Sequence, residues 1–364
     1  MSDDIRILLL ADSHLGFDLP VRPRVGRRRR GFDFLANYAA ALEPAVTGEV
    51  DLVVHAGDVF DRPSVVPSIA YQAYEPLRRI ADRGVPVFIV PGNHERSRLP
   101  HARLVTHPNV HVFDRARTFV ARVRGTTIGL SGFPYERRNV RTQFTGLLAQ
   151  TEWRQERVDV RVLCMHHCIE GATVGPGHFV FTTAADVIRG REIPREFAAV
   201  MTGHIHRHQV LTVDLDRRPL GAPVFYPGSI ERTSFAEMDE TKGFMVVRIA
   251  ESEGDCDVRS EFRQLAARPM IRQELRAHGM SMRAVESGIR AIIATSPSDA
   301  VLSIHVDGLP AEAPWPALSS ARLRAFIPET MNVEIRPTGG FARPTRAIER
   351  TLHVEIEVQH TLFG

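Results

Sequence analysis

Ile5-Arg6-Ile7-Leu8-Leu9-Leu10-Ala11 runs directly into Asp12-Ser13-His14, and this junction between an apolar run and two metal-binding side-chain types decides how the rest of the chain is read. The run is too short for a helix. It suits a strand buried on both faces. The junction recurs four times. Val50 to His55 leads to Gly57-Asp58, and Val85 to Val90 leads to Gly92-Asn93-His94. Val158 to Met165 leads to His166-His167, and Phe197 to Thr202 leads to Gly203-His204-Ile205-His206. Between the first three runs, helical spacing covers Phe32 to Val46, with Gly48 as a stop, and Ile69 to Arg83, with Gly84 as a cap. Strands alternating with helices predict a layered α/β fold. In such sheets ligands bind outside the carboxyl ends of the strands. Residues far apart in sequence are therefore expected to meet in one crevice.

Outside this series the chain is compositionally ordinary. It has 364 residues, 43% hydrophobic and 24% charged, enough for one large domain and a smaller one. No apolar run is long enough for a membrane span. The N-terminus lacks the basic and apolar segments of a secretory signal. Three cysteines, Cys164, Cys168 and Cys256, cannot form a disulfide framework, so a cytoplasmic location is expected. The net charge of +3 says little about a polyanionic partner. The distribution of charge says more: Arg22, Arg24 and Arg27 to Arg30 form one cluster, and Arg137, Arg138 and Arg141 form another. Both are open to phosphate contact or to a plain solvated role.

Short strands are expected between Val110 and Leu130, then over Gln209 to Val213, Val224 to Tyr226 and Gly243 to Ile249. A turn-rich loop from Tyr226 to Phe235 lies among them. Composition shifts near Ala266 to Pro269. Beyond it, a helix over Glu286 to Ala294, a strand over Val301 to Val306, a helix over Ser319 to Phe326 and a strand over Met331 to Ile335 suggest a small β-α-β unit. Past Gly339-Gly340 the one strand candidate is His353 to Val358. The expected division is a core over 1–265, a second domain over 266–338 and a tail over 339–364.

The side chains at the strand ends fit phosphoester hydrolysis. That reaction needs an activated water and an offset for the phosphoryl charge, and two divalent metals about 3.5–4 Å apart supply both. A carboxylate must bridge them, and Asp58, freed to turn by Gly57, is assigned that place. Asp12 and His14, two apart, turn toward one metal. Asn93 offers a carbonyl oxygen to the other. His94 is better placed as a non-ligand that contacts the scissile phosphate or protonates the leaving group. His166 closes the second metal, although His167 is an alternative because adjacent strand residues face opposite ways. His204 and His206 give one ligand to each ion. Imidazole and carboxylate suit manganese, iron or zinc, with magnesium a further option, and the lack of clustered thiolates argues against a structural zinc site. Arg62, Tyr135, Arg137 and Ser229 are the candidate substrate contacts, with Tyr135 and the arginines suited to stacking and clamping nucleic acid.

Together the motifs DSH, GDVFD, PGNHE, MHH and GHIH resemble the calcineurin-like metallophosphoesterase superfamily. The resemblance implies a four-layer α/β/β/α sandwich. It puts Asp12, His14, Asp58 and His206 on one metal, Asp58, Asn93, His166 and His204 on the other, and makes His94 a stabiliser of the transition state. DSHLG, GDVFD and YPGS, continuing through Ser234-Phe235-Ala236-Glu237 to Lys242-Gly243-Phe244, resemble more narrowly the SbcD-type DNA repair exonucleases. That likeness implies a small α/β capping domain, manganese, action on DNA ends and hairpins, an SbcC-type ATPase partner, and a homodimer formed through core helices, here the segment from Ile69 to Leu77. The chain departs from the family pattern in lacking a long amphipathic helix after the capping domain, the element that grips the ATPase. Phosphatases and cyclic-nucleotide phosphodiesterases of related families offer a second reading of the same site. A non-catalytic protein that binds DNA ends is a third, which the complete ligand set disfavours.

Overall fold

The computed structural model describes residues 4–18, 29–252, 255–308 and 325–338. They divide into two compact units, with the boundary between Ala267 and Arg268. In chain order the first unit opens with β1 (Ile5–Leu10), α1 (Gly31–Val46), β2 (Leu52–His55), α2 (Pro67–Asp82), β3 (Val87–Ile89) and β4 (Val110–Val112). It continues with β5 (Arg117–Val123), β6 (Thr126–Gly132), α3 (Val140–Gln150) and β7 (Val160–Met165). Four short strands follow, β8 (Cys168–Ile169), β9 (Thr173–Val174), β10 (Phe179–Val180) and β11 (Val187–Ile188). The unit ends with β12 (Ala199–Thr202), β13 (Gln209–Val213), β14 (Pro219–Tyr226), β15 (Gly243–Ser252) and β16 (Asp255–Gln264).

Two six-stranded sheets result, in the orders β16-β15-β1-β2-β3-β4 and β13-β14-β12-β7-β6-β5. Strand β1 shows why they stack. Ile5, Ile7 and Leu9 face Leu130, Val162 and Met201 of the second sheet in one core, whereas Leu8 and Leu10 face Phe34, Tyr38 and Leu77 of α1 and α2 in another. The period of two in a strand sends alternate side chains into different layers, so a strand covered on both sides must be apolar throughout. On the far side of the second sheet, Leu163, Met165 and Val200 pack with Val140, Phe144 and Leu148 of α3. The architecture is therefore α/β/β/α, as the motifs implied. Burying each large apolar side chain of β1 is worth about 1.5–3 kcal/mol relative to exposure. That anchorage lets the turn beyond β1 adopt an unfavourable backbone.

The second unit has β17 (Met270–Arg276), α4 (Met282–Thr295), β18 (Val301–Asp307) and β19 (Asn332–Thr338), with all three strands parallel. Its core sets Val285, Ile289 and Ile293 of α4 against Leu302, Ile304 and Val306 of β18. The Arg268 guanidinium donates to the carbonyls of Asp299 and Thr330 and to Asn332 Oδ1, which ties the beginnings of the strands together. Elements α3, β8 to β11, β16 and β17 are additions to the expected set. The helix expected over Ser319 to Phe326 lies outside the described residues except for its last two, which form a turn, and the tail strand over His353 to Val358 lies wholly outside them. Among the described residues no helix is long and apolar enough to cross a membrane.

Candidate metal centre

Five parallel strands deliver the candidate ligands from their carboxyl ends. β1, β2 and β3 of one sheet carry Asp12 and His14, Asp58, and Asn93 and His94. β7 and β12 of the other carry His166, and His204 and His206. The first two loops stay paired past the strands: Asp12 N–H donates to Gly57 O (2.9 Å) and His14 N–H to Asp58 O (3.0 Å). Asp12, His14, Asp58 and His204 have φ of 51°, 42°, 52° and 78°. Each such left-handed non-glycine residue costs of order 1–3 kcal/mol and persists only where its surroundings enforce it. Gly57 has φ of 102°, and a Cβ there would lie 2.1 Å from His166 Nδ1. Gly57→Ala is therefore expected to displace the His166 ring and to destabilise the fold by at least about 1–3 kcal/mol from backbone strain alone. A denaturant melt of the metal-free protein measures this, and an unchanged midpoint would refute it.

The side chains converge. His166 donates Nδ1–H to Ala56 O (2.7 Å), which leaves Nε2 facing Asn93 Oδ1 at 3.0 Å, Asp58 Oδ2 at 3.3 Å and Asp12 Oδ1 at 3.9 Å. His204 Nδ1 lies 2.9 Å from the same Asn93 oxygen. His14 Nε2 and His206 Nε2 are 3.0 Å apart, and His206 Nε2 is 3.8 Å from Asp12 Oδ1. Three overlapping sets could each hold a cation: Asp12, His14 and His206; His14, Asp58 and His94; and Asp12, Asp58 and His166. Asp12 and Asp58 each belong to two sets. Ring nitrogens facing oxygens and one another at such distances need a proton or a cation between them. The donor set, carboxylate and imidazole with one amide oxygen, suits divalent first-row metals.

Without metal, protons do this work. Burial opposes charge on His166, but Asp58 and Asp12 outweigh it and bring the imidazole up to about 9. His206 is likewise raised against its burial, chiefly by Glu237. Burial and His166 take His204 down to about 3, and burial with the neighbouring histidines keeps His14 well below its usual range. Among the carboxyls, burial raises Asp12, whereas Asp58, despite burial, is held well below the usual range by His166. Raised imidazoles are protonated below their pKa, so they compete with cations, and uptake should weaken as pH falls. At pH 7, loading is expected to release a proton from His166, and that release should fade as pH rises past about 9. Calorimetry in buffers of different ionisation enthalpy reads the proton count; a value near zero at pH 7 would contradict it.

A family model of calcineurin-like phosphoesterases matches residues 5–208, the stretch that carries all of these candidate ligands. The chain belongs to the calcineurin-like phosphoesterase family. It is similar to the DNA double-strand break repair protein Mre11 of Thermoplasma acidophilum, 24% identical over 72% of this chain and 66% of the relative. Mre11 of Methanosarcina acetivorans is 26% identical over 69% of this chain and 38% of its own. The SbcD component of the nuclease SbcCD of Bacillus subtilis is 26% identical over 67% and 66%. The chain thus spans two thirds or less of the length of these relatives.

Within this calcineurin-like phosphoesterase the remaining predicted residues divide into those near the cluster and those away from it. His94 donates Nδ1–H to Asp61 O (2.8 Å), and its Nε2 lies 4.0 Å from Asp58 Oδ2. Its side chain is 28% exposed, against 24% for His206 and 1% or less for His14 and His166. His167 accepts from Glu136 N–H (2.9 Å) and stacks on Tyr135, so it faces away from the carboxylates that His166 meets. Tyr135 also lies 5.5 Å from the His204 ring, which puts it beside the centre. Arg62 is 61% exposed and pairs with Asp61, and Arg137 is exposed. Ser229 is buried and donates Oγ–H to Glu231 O, which makes it a fastener of its loop. Arg141 and Arg30 turn inward: Arg141 donates to the carbonyls of Thr182 and Val187, and Arg30 donates to Arg232 O and lies over Phe17 and Phe34.

Three supporting residues lie in the quoted motifs but were given no role from sequence. Glu95 accepts from Phe60 N–H (2.8 Å) and Gly92 N–H (2.6 Å) and so clamps the Asp58 loop to the Asn93 loop. Glu237 accepts from His206 Nδ1–H (3.0 Å), and the fully buried Lys242 pairs with Glu237 (2.6 Å). For Glu95 the available signal was its place in the PGNHE motif itself. For the other two it was the Ser234-to-Phe244 segment.

Proposed function

We propose that this chain is a manganese-dependent DNA phosphodiesterase of the Mre11 and SbcD kind, cutting at DNA ends and hairpins during break repair. One observation carries the reading: Asp58 Oδ2 lies 4.0 Å from His14 Nε2 and 3.3 Å from His166 Nε2, between a residue assigned to each cation, where a bridging carboxylate belongs. On this reading Asp12, His14, Asp58 and His206 hold one cation, and Asp58, Asn93, His166 and His204 the other. Two such cations supply charge neutralisation on the phosphoryl oxygens and acidify the attacking water. The protein's own part is to fix the ligands, through Gly57 and the Ala56 carbonyl, and to present His94 from the open side.

Similarity to Mre11 and SbcD relatives supports DNA as the substrate, an SbcC-type ATPase as partner and a cytoplasmic location. The parallel sheet of the second unit is assigned as the capping domain, and residues 339–364 as a C-terminal tail. Tyr135, next to His204, is the first candidate for stacking on a base, with Arg62 and Arg137 as exposed phosphate contacts.

The test is cleavage of linear, hairpin and plasmid DNA by the purified chain with manganese, beside turnover of bis-p-nitrophenyl phosphate. Cleavage that chelator abolishes supports the proposal. Intact DNA with the small ester hydrolysed would sink the DNA reading and leave a small-molecule phosphodiesterase. Intact DNA and intact ester would sink catalysis altogether.

A further inference from the structure

The two cations of this reading would rest on differently supported histidines. His166 gives its Nδ1–H to the backbone carbonyl of Ala56, a neutral acceptor fixed by the sheet, and its ring is buried. His206 gives its Nδ1–H to the carboxylate of Glu237, and its side chain is 24% exposed. A carboxylate behind an imidazole fixes the tautomer and raises the basicity of the nitrogen that faces the metal.

Glu237 is itself held by several groups. Thr233 donates Oγ–H to its Oε1 (2.6 Å), the atom that also receives His206. Lys242 sets its ammonium 2.6 Å from Oε2. The Lys242 side chain is fully buried, and the same ammonium donates to Glu240 Oε2 (2.9 Å) and to the carbonyl of His206 (2.9 Å). Glu240 in turn accepts from Arg207 Nε (3.1 Å), the residue after His206. One ammonium therefore touches both the backbone of the ligand residue and the carboxylate behind its ring. A buried charged group is costly unless fully paired, and an apolar side chain would fill the same space. Placing the ammonium on both ends of His206 points to a role in setting that ligand.

We propose that Glu237, backed by Lys242, is a positioning residue that sets the affinity of the cation held by Asp12, His14 and His206, and leaves the cation on His166 unaffected. The inference rests on the two-metal reading above. It goes beyond that reading in making the two ions unequal, with one ring fixed by main chain and the other by a side-chain ion pair.

The test is manganese titration of the metal-free full-length chain, followed by calorimetry and by the electron paramagnetic resonance of unbound manganese. The wild type is expected to take up two ions. Glu237→Gln keeps the shape and an acceptor oxygen but removes the charge. It is expected to weaken one binding step about 10–100-fold, the usual effect of losing such a partner, with the other step unchanged. Glu237→Asp, which keeps the charge, should fall between the two. Equal weakening of both steps would indicate general loosening of the fold and overturn the proposal, as would two wild-type steps in Glu237→Gln. A wild type that binds no cation would overturn the two-metal reading and this inference together, and so is distinct from the failure of this inference alone. If Glu237→Gln does not fold, Thr233→Val carries the test. It removes a donor to the same oxygen, and should weaken the same step by about tenfold or less; no change there overturns the proposal.

Discussion

Asp58→Asn is expected to lower manganese-dependent cleavage at least about a thousandfold, equivalent to ~4 kcal/mol of transition-state stabilisation, and to impair uptake of both cations rather than one. The reason is position. Asp58 Oδ2 lies 3.3 Å from His166 Nε2 and 4.0 Å from both His14 Nε2 and His94 Nε2, so the loss of one carboxylate is felt on both sides of the cluster. The amide can still accept the His94 N–H bond that Oδ1 now receives (2.9 Å), so the loop has a way to keep its shape. The variant should fold, because asparagine keeps the shape of the side chain and His166, losing its carboxylate partner, can shed its proton. Metal counting on the dialysed protein, with a melting curve alongside, separates lost ligation from lost fold. A folded variant that still holds two ions would show that the bridging assignment is wrong.

How much of this arrangement could be read beforehand depends on the physics of each element. Strand β1 was legible because it is buried on both faces and so carries no polar interruption but Arg6, whose side chain pairs with Asp51 at the edge of the core. The candidate ligand cluster was legible because its residue types fall at the carboxyl ends of parallel strands, and the two sheets bring those ends together. β16 was not: DCDVRSEFRQ is an edge strand that shows polar side chains along most of its length, and its place is set by ten residues of pairing with β15 rather than by its own pattern. β17, MIRQELR, is an edge strand with the same problem. Ser229 illustrates a different limit. The sequence puts a hydroxyl near the site, but hydrogen bonding to its own loop, and the bridge between Ala11 and Ser229, use it to fasten two loops together. Glu237 is the converse case. Nothing in its spacing from His206 marks it, because the contact is made by a loop returning from another part of the chain.

His94→Ala tests the division of labour between ligands and proton handling. Its ring makes one side-chain hydrogen bond, to Asp61 O, and is partly open to solvent, so truncation should cost little fold stability. Two cations are expected to bind with near wild-type affinity, while kcat falls about 10²–10⁴-fold, the range for removing a general acid or base. His94 also belongs to a set with His14 and Asp58 that could hold a cation. If it is a ligand, the variant will lose an ion together with its turnover, and the proton-handling assignment fails. The leaving group then distinguishes the two roles that remain. If His94 protonates the departing oxygen, an ester of p-nitrophenol, which leaves readily as the anion, should lose far less rate than DNA does. If His94 instead stabilises charge on the phosphoryl oxygens, both substrates should suffer alike, because that charge develops whatever departs. The partial exposure of the ring favours the first outcome, since a group that must regain a proton after each turnover needs a path to water that the buried His166 and His14 do not have.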